Sequence, residues 1–206
     1  MSQGLLLIVS APSGAGKTSL VAALLERDPR LTMSISHTTR GRRLREQDGV
    51  NYHFVSREDF LEMIARGEFL EHAEVFGHLY GTSSRSVATE RDRGRDVILE
   101  IDYQGARQIR ERHPDAISIF ILPPSKSTLA QRLEKRGEDA ESVIQERLAK
   151  ARSEIASYAE YDYLLVNDEF QDALDDLAAI VRAERLRLAR QRARLETLLD
   201  ELLSGS

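Results

Sequence analysis

The chain has 206 residues, of which 41% are hydrophobic and 31% are charged, and this predicts a single α/β unit with one well-formed core. The net charge of −5 argues against a general nucleic-acid binder, and the lack of cysteine excludes a disulfide framework. Because the longest clear apolar run is Leu5–Val9 and the N-terminus lacks the segments of a secretory signal, we expect a cytoplasmic protein without membrane partners.

The first predicted strand leads into a loop that is typical of phosphate binding. Residues 4–10 form an apolar run bounded by turn residues, which is the pattern of a strand buried on both faces of a parallel sheet. The loop Ser10-Ala-Pro-Ser-Gly-Ala-Gly-Lys-Thr-Ser19 follows, and a predicted helix comes after it. Glycines in this setting let backbone N–H groups point at phosphate oxygens. The sequence therefore predicts a P-loop that binds the phosphates of a nucleoside triphosphate.

Two side chains of this loop have specific predicted roles. Lys17 is expected to contact the β- and γ-phosphates, and the Thr18 hydroxyl is expected to bind Mg²⁺. The strict motif has glycine where this chain has Ala11, and a methyl group is tolerated there if φ is negative. The alternative is an ordinary glycine-rich helix start, against which the preceding strand and the following helix argue.

Residues 37–83 have a different pattern, which we interpret as an inserted, mostly-β lobe. The segment 32–37 just before it is a candidate fifth strand of the core sheet. Inside the lobe, short alternating strands are expected around residues 52–55 and 69–75, with one helix at 58–65.

Apolar runs after the lobe predict the rest of the core sheet. Segments 96–101, 116–122 and 163–166 resemble the first strand, and helix-like sequence separates them. That alternation predicts a parallel five-stranded core sheet with helices on both faces. Glu100 and Asp102 end the first of these segments, where an acidic residue can hold a metal ion or its water.

Two helices are predicted to follow Pro123-Pro124 as a hairpin. The first begins at Ser125 and places Arg132 and Arg136 on one face. The second spans about 141–158, and Arg147 borders an apolar stripe formed by Ile144, Leu148, Ala151 and Ile155. The three arginines could converge on one point, and the alternative is that they pair with nearby glutamates in water.

Residues 169–203 are predicted to form one or two long amphipathic helices. An apolar residue recurs every seven positions, at Leu174, Val181, Leu188, Leu195 and Leu202. A helix packed on its own sheet with a projecting tail fits this repeat, and so does a coiled coil that would make the chain a homo-oligomer.

Several motifs in the right order resemble the guanylate kinase family, in its bacterial form, from Ile8 to about Glu184. These motifs are Ser36-His-Thr-Thr-Arg40, Asn51-Tyr-His-Phe54, Glu68-Phe-Leu-Glu71, Gly77-His-Leu-Tyr80-Gly-Thr82, Ile101-Asp-Tyr-Gln-Gly105, Ile121-Leu-Pro-Pro-Ser125 and Val166-Asn-Asp168. The resemblance implies one domain with the P-loop nucleoside monophosphate kinase fold. Its parts would be a GMP-binding lobe at 37–83, a helical lid at 125–151 and a core formed by 1–36, 84–124 and 152–206.

The resemblance implies that the γ-phosphate of ATP is transferred to GMP or dGMP. Carried over by position, it assigns the GMP phosphate to Arg40, Arg43, Tyr52 and Tyr80, and the guanine to Ser36, Glu71, Thr82 and Asp102. Physical chemistry agrees, because arginine forks and tyrosine hydroxyls suit a phosphate dianion. A glutamate matches the adjacent N1–H and 2-amino donors of guanine, whereas adenine presents an acceptor at N1.

The resemblance also implies the residues of the donor site. ATP would be bound by Ser13, Gly14, Ala15, Gly16, Lys17, Thr18 and Ser19, with Asn167 and Asp168 near the adenine. Mg²⁺ would be held by Thr18 and, through water, by Glu100. Transfer would be direct and in-line, with charge on the moving phosphoryl group stabilised by Lys17, Arg40, Arg132, Arg136 and Arg147.

Two other functions would use the same fold. A guanylate-kinase-like interaction module without catalysis would be expected to lack some phosphate-binding groups, yet Lys17, Thr18, Arg40 and Arg43 are present. A related P-loop kinase could act on another phosphorylated acceptor, such as AMP or a sugar phosphate. Glu71 argues for guanine against that alternative.

Overall fold

A computed structural model describes residues 3–134 and 141–204, in which strands and helices alternate along the chain. The elements are β1 (Leu6–Ser10), α1 (Lys17–Arg27), β2 (Leu31–Met33), β3 (His37–Thr38), β4 (His53–Phe54), α2 (Arg57–Ala65), β5 (Phe69–Val75), β6 (His78–Ser83), α3 (Ser84–Asp92), β7 (Asp96–Glu100), α4 (Tyr103–Arg112), β8 (Ile117–Leu122), α5 (Lys126–Glu134), α6 (Glu141–Ile155), β9 (Tyr163–Val166), α7 (Phe170–Arg185), α8 (Leu188–Arg194) and α9 (Glu196–Leu203).

The core is a parallel five-stranded sheet in the order β2-β7-β1-β8-β9. Alternate residues of the central strand β1 point to opposite faces, as the pleat of a strand requires. Leu7 and Val9 join one hydrophobic cluster with residues of α1 and α7, while Leu6 and Ile8 join another with residues of α3 and α4. The predicted α/β fold, with helices on both faces of this sheet, is confirmed.

The carboxyl ends of the core strands meet at one edge of the sheet, where ligands bind in open α/β folds. Ser10 ends β1 and opens the P-loop, Glu100 ends β7, and Asn167 follows β9. The strand order places β7 on one side of β1 and β8 with β9 on the other. The fold therefore brings residues far apart in sequence to the two sides of the P-loop.

A second, mixed sheet in the order β4-β3-β6-β5 lies between β2 and α3 in the sequence. It has its own small core, in which the rings of Phe60 and Phe69 stack with centroids 4.5 Å apart. The hairpin between β5 and β6 turns at Phe76 and Gly77, both of which have positive φ, as the tightest hairpin turns require. The boundaries proposed above for the lobe, the lid and the core stay predictions.

The predicted strand at 32–37 was wrong in its length. β2 ends at Met33, and His37 belongs to β3 of the second sheet. Ser34 N still donates to Ile98 O at 3.0 Å, and the chain then leaves the core sheet. The chain leaves the core sheet at Ser34 and Ser36, which are polar, because buried positions of such a sheet favour apolar side chains.

α5 and α6 pack together through Leu129, Leu133, Leu148 and Ala151, as the predicted hairpin requires. α6 ends at Ile155 rather than at Tyr158, and a short 3₁₀ turn occupies Tyr158–Glu160. The predicted position of Arg136 lies outside the described residues.

The prediction of one or two C-terminal helices was also wrong, because residues 170–203 form α7, α8 and α9. The helical conformation is interrupted at Arg187 and again at Leu195. The heptad repeat continues into the core only as far as Leu174 and Val181, which are buried, whereas Leu188 and Leu202 are 82% and 72% exposed. In the described parts of the chain, every helix is too short or too polar to cross a lipid bilayer.

Candidate functional site

The P-loop joins the end of β1 to the first residue of α1. Gly14 and Gly16 both have φ of 91°, a left-handed conformation that L side chains rarely adopt. Ala11 is not among the described residues with positive φ, so its methyl group is accommodated as expected. No described side chain caps the N-terminus of α1, and its first turn has no acidic residue. The N–H groups there are therefore suited to bind an anion.

Lys17 and Thr18 begin α1 and face the end of β7. Lys17 Nζ donates to Ile101 O at 3.3 Å, and Thr18 Oγ1 donates to Glu100 Oε1 at 2.5 Å. Magnesium is held in kinase sites by a few protein oxygens together with substrate phosphates and water. The Thr18 hydroxyl and the Glu100 carboxylate provide such oxygens side by side, so the donor set fits a magnesium ion.

One cavity of about 320 Å³ connects the P-loop with the second sheet. Lys17 of the P-loop and Glu71 of β5 both line it. Most of the predicted phosphate-loop and acceptor residues also line it, namely Ser13, Gly14, Gly16, Thr18, Ser36, Arg43, Tyr52, Tyr80, Glu100 and Asp102. Ser19 lines an adjoining cavity of about 620 Å³ that also reaches Arg43 and Tyr52. The structure therefore gathers the two predicted nucleotide sites around a single cleft.

Glu71 on β5 is a buried carboxylate, only 3% exposed. Its Oε1 accepts a hydrogen bond of 2.5 Å from Thr82 Oγ1 on the neighbouring strand β6. Burial raises the pKa of Glu71 to about 7, and the charge of Asp102 acts in the same direction, while the Thr82 bond opposes both. A Cβ added to Gly105 of α4 would lie 2.4 Å from Glu71 Oε2, so the carboxylate is packed directly on the α4 backbone.

Of the predicted phosphate-acceptor residues, Arg43, Tyr52 and Tyr80 line the cavity and Arg40 lies next to Tyr52. The rings of Tyr52 and Tyr80 meet edge to face with centroids 5.9 Å apart, and the Arg40 guanidinium lies 5.5 Å from the centre of the Tyr52 ring. Arg40 Nη2 donates to Glu46 Oε1 at 2.7 Å, and Arg43 N donates to Glu46 Oε2 at 2.8 Å. Sequence reasoning missed Glu46, which holds both arginine segments. Its position after an arginine run was the available signal.

Asp102 lines the cavity and also caps α4. Its Oδ1 accepts from the backbone N–H groups of Gln104 and Gly105 at 3.0 and 3.1 Å, while Oδ2 accepts from Gln104 Nε2 at 3.0 Å. The capping bonds fix the carboxylate at the helix start, close to Glu71. Sequence reasoning placed Asp102 at the guanine and did not identify this structural task.

Asn167 lies against the P-loop backbone and is 4% exposed. Its Nδ2 donates to Ala15 O at 2.7 Å, and a Cβ on Gly16 would lie 2.3 Å from that nitrogen. Arg132 on α5 donates from Nη2 to Asn167 O at 3.3 Å and from Nη1 to Ala15 O at 3.5 Å. Asp168 is exposed beside Asn167, and Arg147 is partly buried on α6. The structure thus joins Asn167 and Arg132 to the P-loop itself.

A second acidic residue that sequence reasoning missed is Glu154, near the end of α6. Its Oε2 accepts a hydrogen bond of 3.2 Å from Ser13 N, and the residue lines the cavity while being only 8% exposed. Glu154 follows the buried Ala151 by three positions, which places it on the inner face of the helix. A charged residue on the apolar face of a predicted helix was the signal that could have identified it.

Comparison with known proteins gives one family. The guanylate kinase family description matches residues 3–184. The guanylate kinase of Vibrio vulnificus (strain YJ016) is 57% identical over 206 residues, which covers 99% of this chain and 100% of the relative. The guanylate kinase of Hahella chejuensis is 59% identical over 205 residues, which covers 100% of this chain and 99% of the relative. The crystal structure of guanylate kinase from Anaplasma phagocytophilum is similar with a TM-score of 0.79 and 37% identity, and covers 95% of each chain.

Proposed function

Since the chain belongs to the guanylate kinase family, we propose that ATP binds on its P-loop and GMP between Glu71 and Arg43, so that the two nucleotides meet at Lys17. The activity is that of the family, the transfer of the γ-phosphate of ATP to GMP, which gives GDP and ADP. The observation that supports this assignment of residues is that Lys17 and Glu71 line the same cavity of about 320 Å³.

Glu71 is the proposed guanine-recognition residue. Its carboxylate accepts hydrogen bonds, and guanine offers two adjacent donors, N1–H and the 2-amino group. Thr82 holds one oxygen of this carboxylate, which leaves the other directed by the α4 backbone at Gly105. Ser36 and Asp102 line the same cavity and complete the proposed guanine site. Adenine would set a lone pair against a buried carboxylate, and such mismatches discriminate strongly between substrates.

The GMP phosphate is proposed to bind to Arg43, Tyr52 and Tyr80, which line the cavity, with Arg40 packed on the Tyr52 ring. Charge-assisted hydrogen bonds from guanidinium groups to phosphate are short and strong. Glu46 fixes the Arg40 side chain and the backbone of Arg43, so it orients the two residues before a substrate arrives.

On the donor side, residues 13–19 are proposed to hold the phosphates of ATP, chiefly through the backbone N–H groups at the start of α1, because Glu154 accepts from Ser13 N–H. Lys17 would neutralise charge on the β- and γ-phosphates, and Thr18 with Glu100 would hold Mg²⁺, Glu100 through water. When bound, magnesium offsets the negative charge of the phosphate oxygens. Asn167 keeps the P-loop carbonyl of Ala15 in place, and Asp168 lies on the exposed side proposed for the adenine.

The proposed chemistry is a single in-line displacement. A GMP phosphate oxygen forms a bond to the γ-phosphorus while the bond from that phosphorus to the β–γ bridging oxygen breaks, and ADP leaves. The acceptor phosphate is already ionised at neutral pH, so no general base is needed. Lys17, Arg40 and the arginines at 132, 136 and 147 are proposed to stabilise the transferring phosphoryl group, which arginines in such positions do by about 10³- to 10⁵-fold.

The test is an assay of ADP formation from ATP with GMP, dGMP, AMP, UMP or CMP as the acceptor. We expect turnover with GMP and dGMP and a rate at least about 10²-fold lower with AMP. Equal rates with AMP and GMP would contradict the role of Glu71. Omission of magnesium is expected to abolish turnover, and activity that persists in a chelator would contradict the proposed ion.

The proposal includes a cytoplasmic location, where ATP and GMP are available, and self-association through the C-terminal helices. α8 and α9 expose leucines at 188, 198, 202 and 203. α8 carries arginines, whereas α9 carries Glu196, Asp200 and Glu201, so two copies could pair basic helix against acidic helix. A monomer by light scattering at every protein concentration and at low salt would contradict this part of the proposal.

A further inference from the structure

The helix pair α5–α6 contacts consecutive residues of the P-loop. Glu154 Oε2 accepts from Ser13 N at 3.2 Å. The side chains of Leu129 and Leu133 lie 3.1 and 3.2 Å from the position of a Cβ on Gly14. Arg132 donates to the carbonyl of the next residue, Ala15. The start of the P-loop is therefore supported from outside by this helix pair.

The position of Glu154 is itself well determined. Ala151, one turn earlier on α6, is fully buried against Leu129 and Leu133. Ser157, which is 4% exposed, donates to the carbonyl of Glu154 from its backbone N at 3.2 Å and from Oγ at 2.7 Å. Both ends of this helical turn are thus fixed, so the carboxylate has little freedom to move away from the P-loop.

Burying a carboxylate costs free energy unless hydrogen bonds or opposite charges offset the loss of its hydration. Burial raises the pKa of Glu154, while the bond from Ser13 N–H and the positive charges of Lys150 and Lys17 lower it, and Asp102 raises it further. An ionised group that faces a site for anionic ligands also repels them. The hydrogen bond from Ser13 N–H to Glu154 Oε2 offsets part of this cost, which points to a requirement for an acceptor oxygen at this place.

The same helix reaches the acceptor side of the cleft. Lys150 Nζ lies 3.6 Å from the centre of the ring of Phe76, at the tip of the β5–β6 hairpin. Lys150 and Glu154 are four residues apart, and therefore on one face of α6. This face contacts the P-loop at one point and the second sheet at another.

We propose that Glu154 is a positioning residue of the phosphoryl-transfer reaction, which holds Ser13 N–H and so fixes the start of the P-loop relative to α6. The inference rests on the proposed ATP site. Misplacing reacting groups by about 1 Å can cost about 10²-fold in rate, so a loose P-loop start should lower turnover more than it weakens GMP binding.

The experiment compares Glu154→Ala and Glu154→Gln with Glu111→Gln, a control at an exposed position of α4. Glu154→Ala is expected to lower kcat about 10- to 100-fold and to raise the KM for ATP, with the KM for GMP within about twofold. Glu154→Gln should keep kcat within about threefold, because the amide oxygen can still accept from Ser13 N–H. Glu111→Gln should match the wild type.

The ¹⁵N–¹H signal of Ser13 gives an independent readout. It should shift in Glu154→Ala and stay near its original position in Glu154→Gln, and it remains informative about Glu154→Gln if the alanine variant does not fold. A wild-type kcat in Glu154→Ala, or a loss of kcat in Glu154→Gln with an unmoved Ser13 signal, would overturn the inference. A lower melting temperature with unchanged kinetic constants would overturn it too, because it would show a merely structural role.

The failure of the donor site itself would look different. If Lys17→Ala kept full turnover, the proposed ATP site would be wrong, and the role proposed for Glu154 would have no basis. If Lys17→Ala abolished turnover while Glu154→Ala did not change it, only the inference about Glu154 would fail.

Discussion

The two ends of the cleft are built in opposite ways. At the donor end, one continuous loop of backbone supplies the binding groups, and two glycines with φ of 91° set its shape. At the guanine end, side chains from β5, β6 and the start of α4 meet around the buried carboxylate of Glu71. A substitution usually leaves the backbone N–H group of a residue in place, whereas a site built from side chains loses a contact whenever one of those side chains is replaced. The donor end should therefore be recognisable locally, and the guanine end should be the more sensitive to single changes that alter specificity.

The largest effect is expected at Lys17, the P-loop side chain proposed to contact the β- and γ-phosphates. Lys17→Ala should lower kcat by about 10³-fold, because it removes a positive charge next to the transferring phosphoryl group. The KM for GMP should change little, since other side chains make the proposed contacts to GMP. Steady-state kinetics with both substrates varied measures this, and the exposed Lys126→Ala is the control. A main effect on GMP affinity would mean that the two ends have been exchanged.

At the guanine end, Glu71→Gln should act on substrate affinity. The amide keeps one acceptor but sets an NH₂ group against a donor of guanine, so the KM for GMP should rise by about 10²-fold. The KM for ATP should stay within about twofold. Glu74→Gln on the same strand is a matched control, because Glu74 is exposed. If both variants behaved alike, base recognition would have to be sought elsewhere in the cleft.

A smaller effect tests whether the backbone of α4 directs Glu71. Gly105→Ala would place a Cβ 2.4 Å from Glu71 Oε2 and push the carboxylate away, so we expect the KM for GMP to rise about tenfold. In a Glu71→Ala background the methyl group has room, and Gly105→Ala should then add little, which a double-mutant cycle measures. Equal costs in both backgrounds would show that Gly105 acts independently of Glu71.

The contrast between a site built from one local segment and a site built from several distant elements also explains which parts of the fold and the site could be predicted from the sequence. The P-loop and the core strands could be predicted because their signals are local, namely glycines before a lysine and continuous apolar runs. β3 is only two residues long and β6 contains Gly81, so neither has a periodicity that can be detected without its partner strands. The C-terminal heptad repeat was misleading, since Leu188 and Leu202 repeat in sequence without being buried together.

Contacts between distant segments were the part of the site that sequence could not provide. Glu154 meets Ser13 and Asn167 meets Ala15 only because the sheet order brings the end of β9 and the end of α6 next to the P-loop. Position-by-position resemblance placed Asn167 near a base, whereas its side chain is directed to the loop carbonyl. Resemblance locates such residues, and the fold is needed to assign the atoms that they contact.

The last prediction concerns stability rather than activity, and it separates the two ends by their response to pH. The pKa of Glu71 is about 7 in the folded protein, against an ordinary value of 4.5, so the folded chain retains a proton that the unfolded chain loses between pH 4.5 and 7. The contribution of Glu71 to stability is therefore fully present below pH 4.5 and is lost as the pH rises through 7. Glu71→Gln does not titrate, so its stability relative to the wild type should increase over this range by up to about 3 kcal/mol and level off above it. Chemical denaturation at pH 5, 6, 7 and 8 measures the difference, with Glu74→Gln as the control. A stability difference that does not vary with pH would mean that Glu71 is ionised throughout this range. The guanine end would then respond to pH no more than the donor end, whose binding groups are backbone N–H groups that do not titrate.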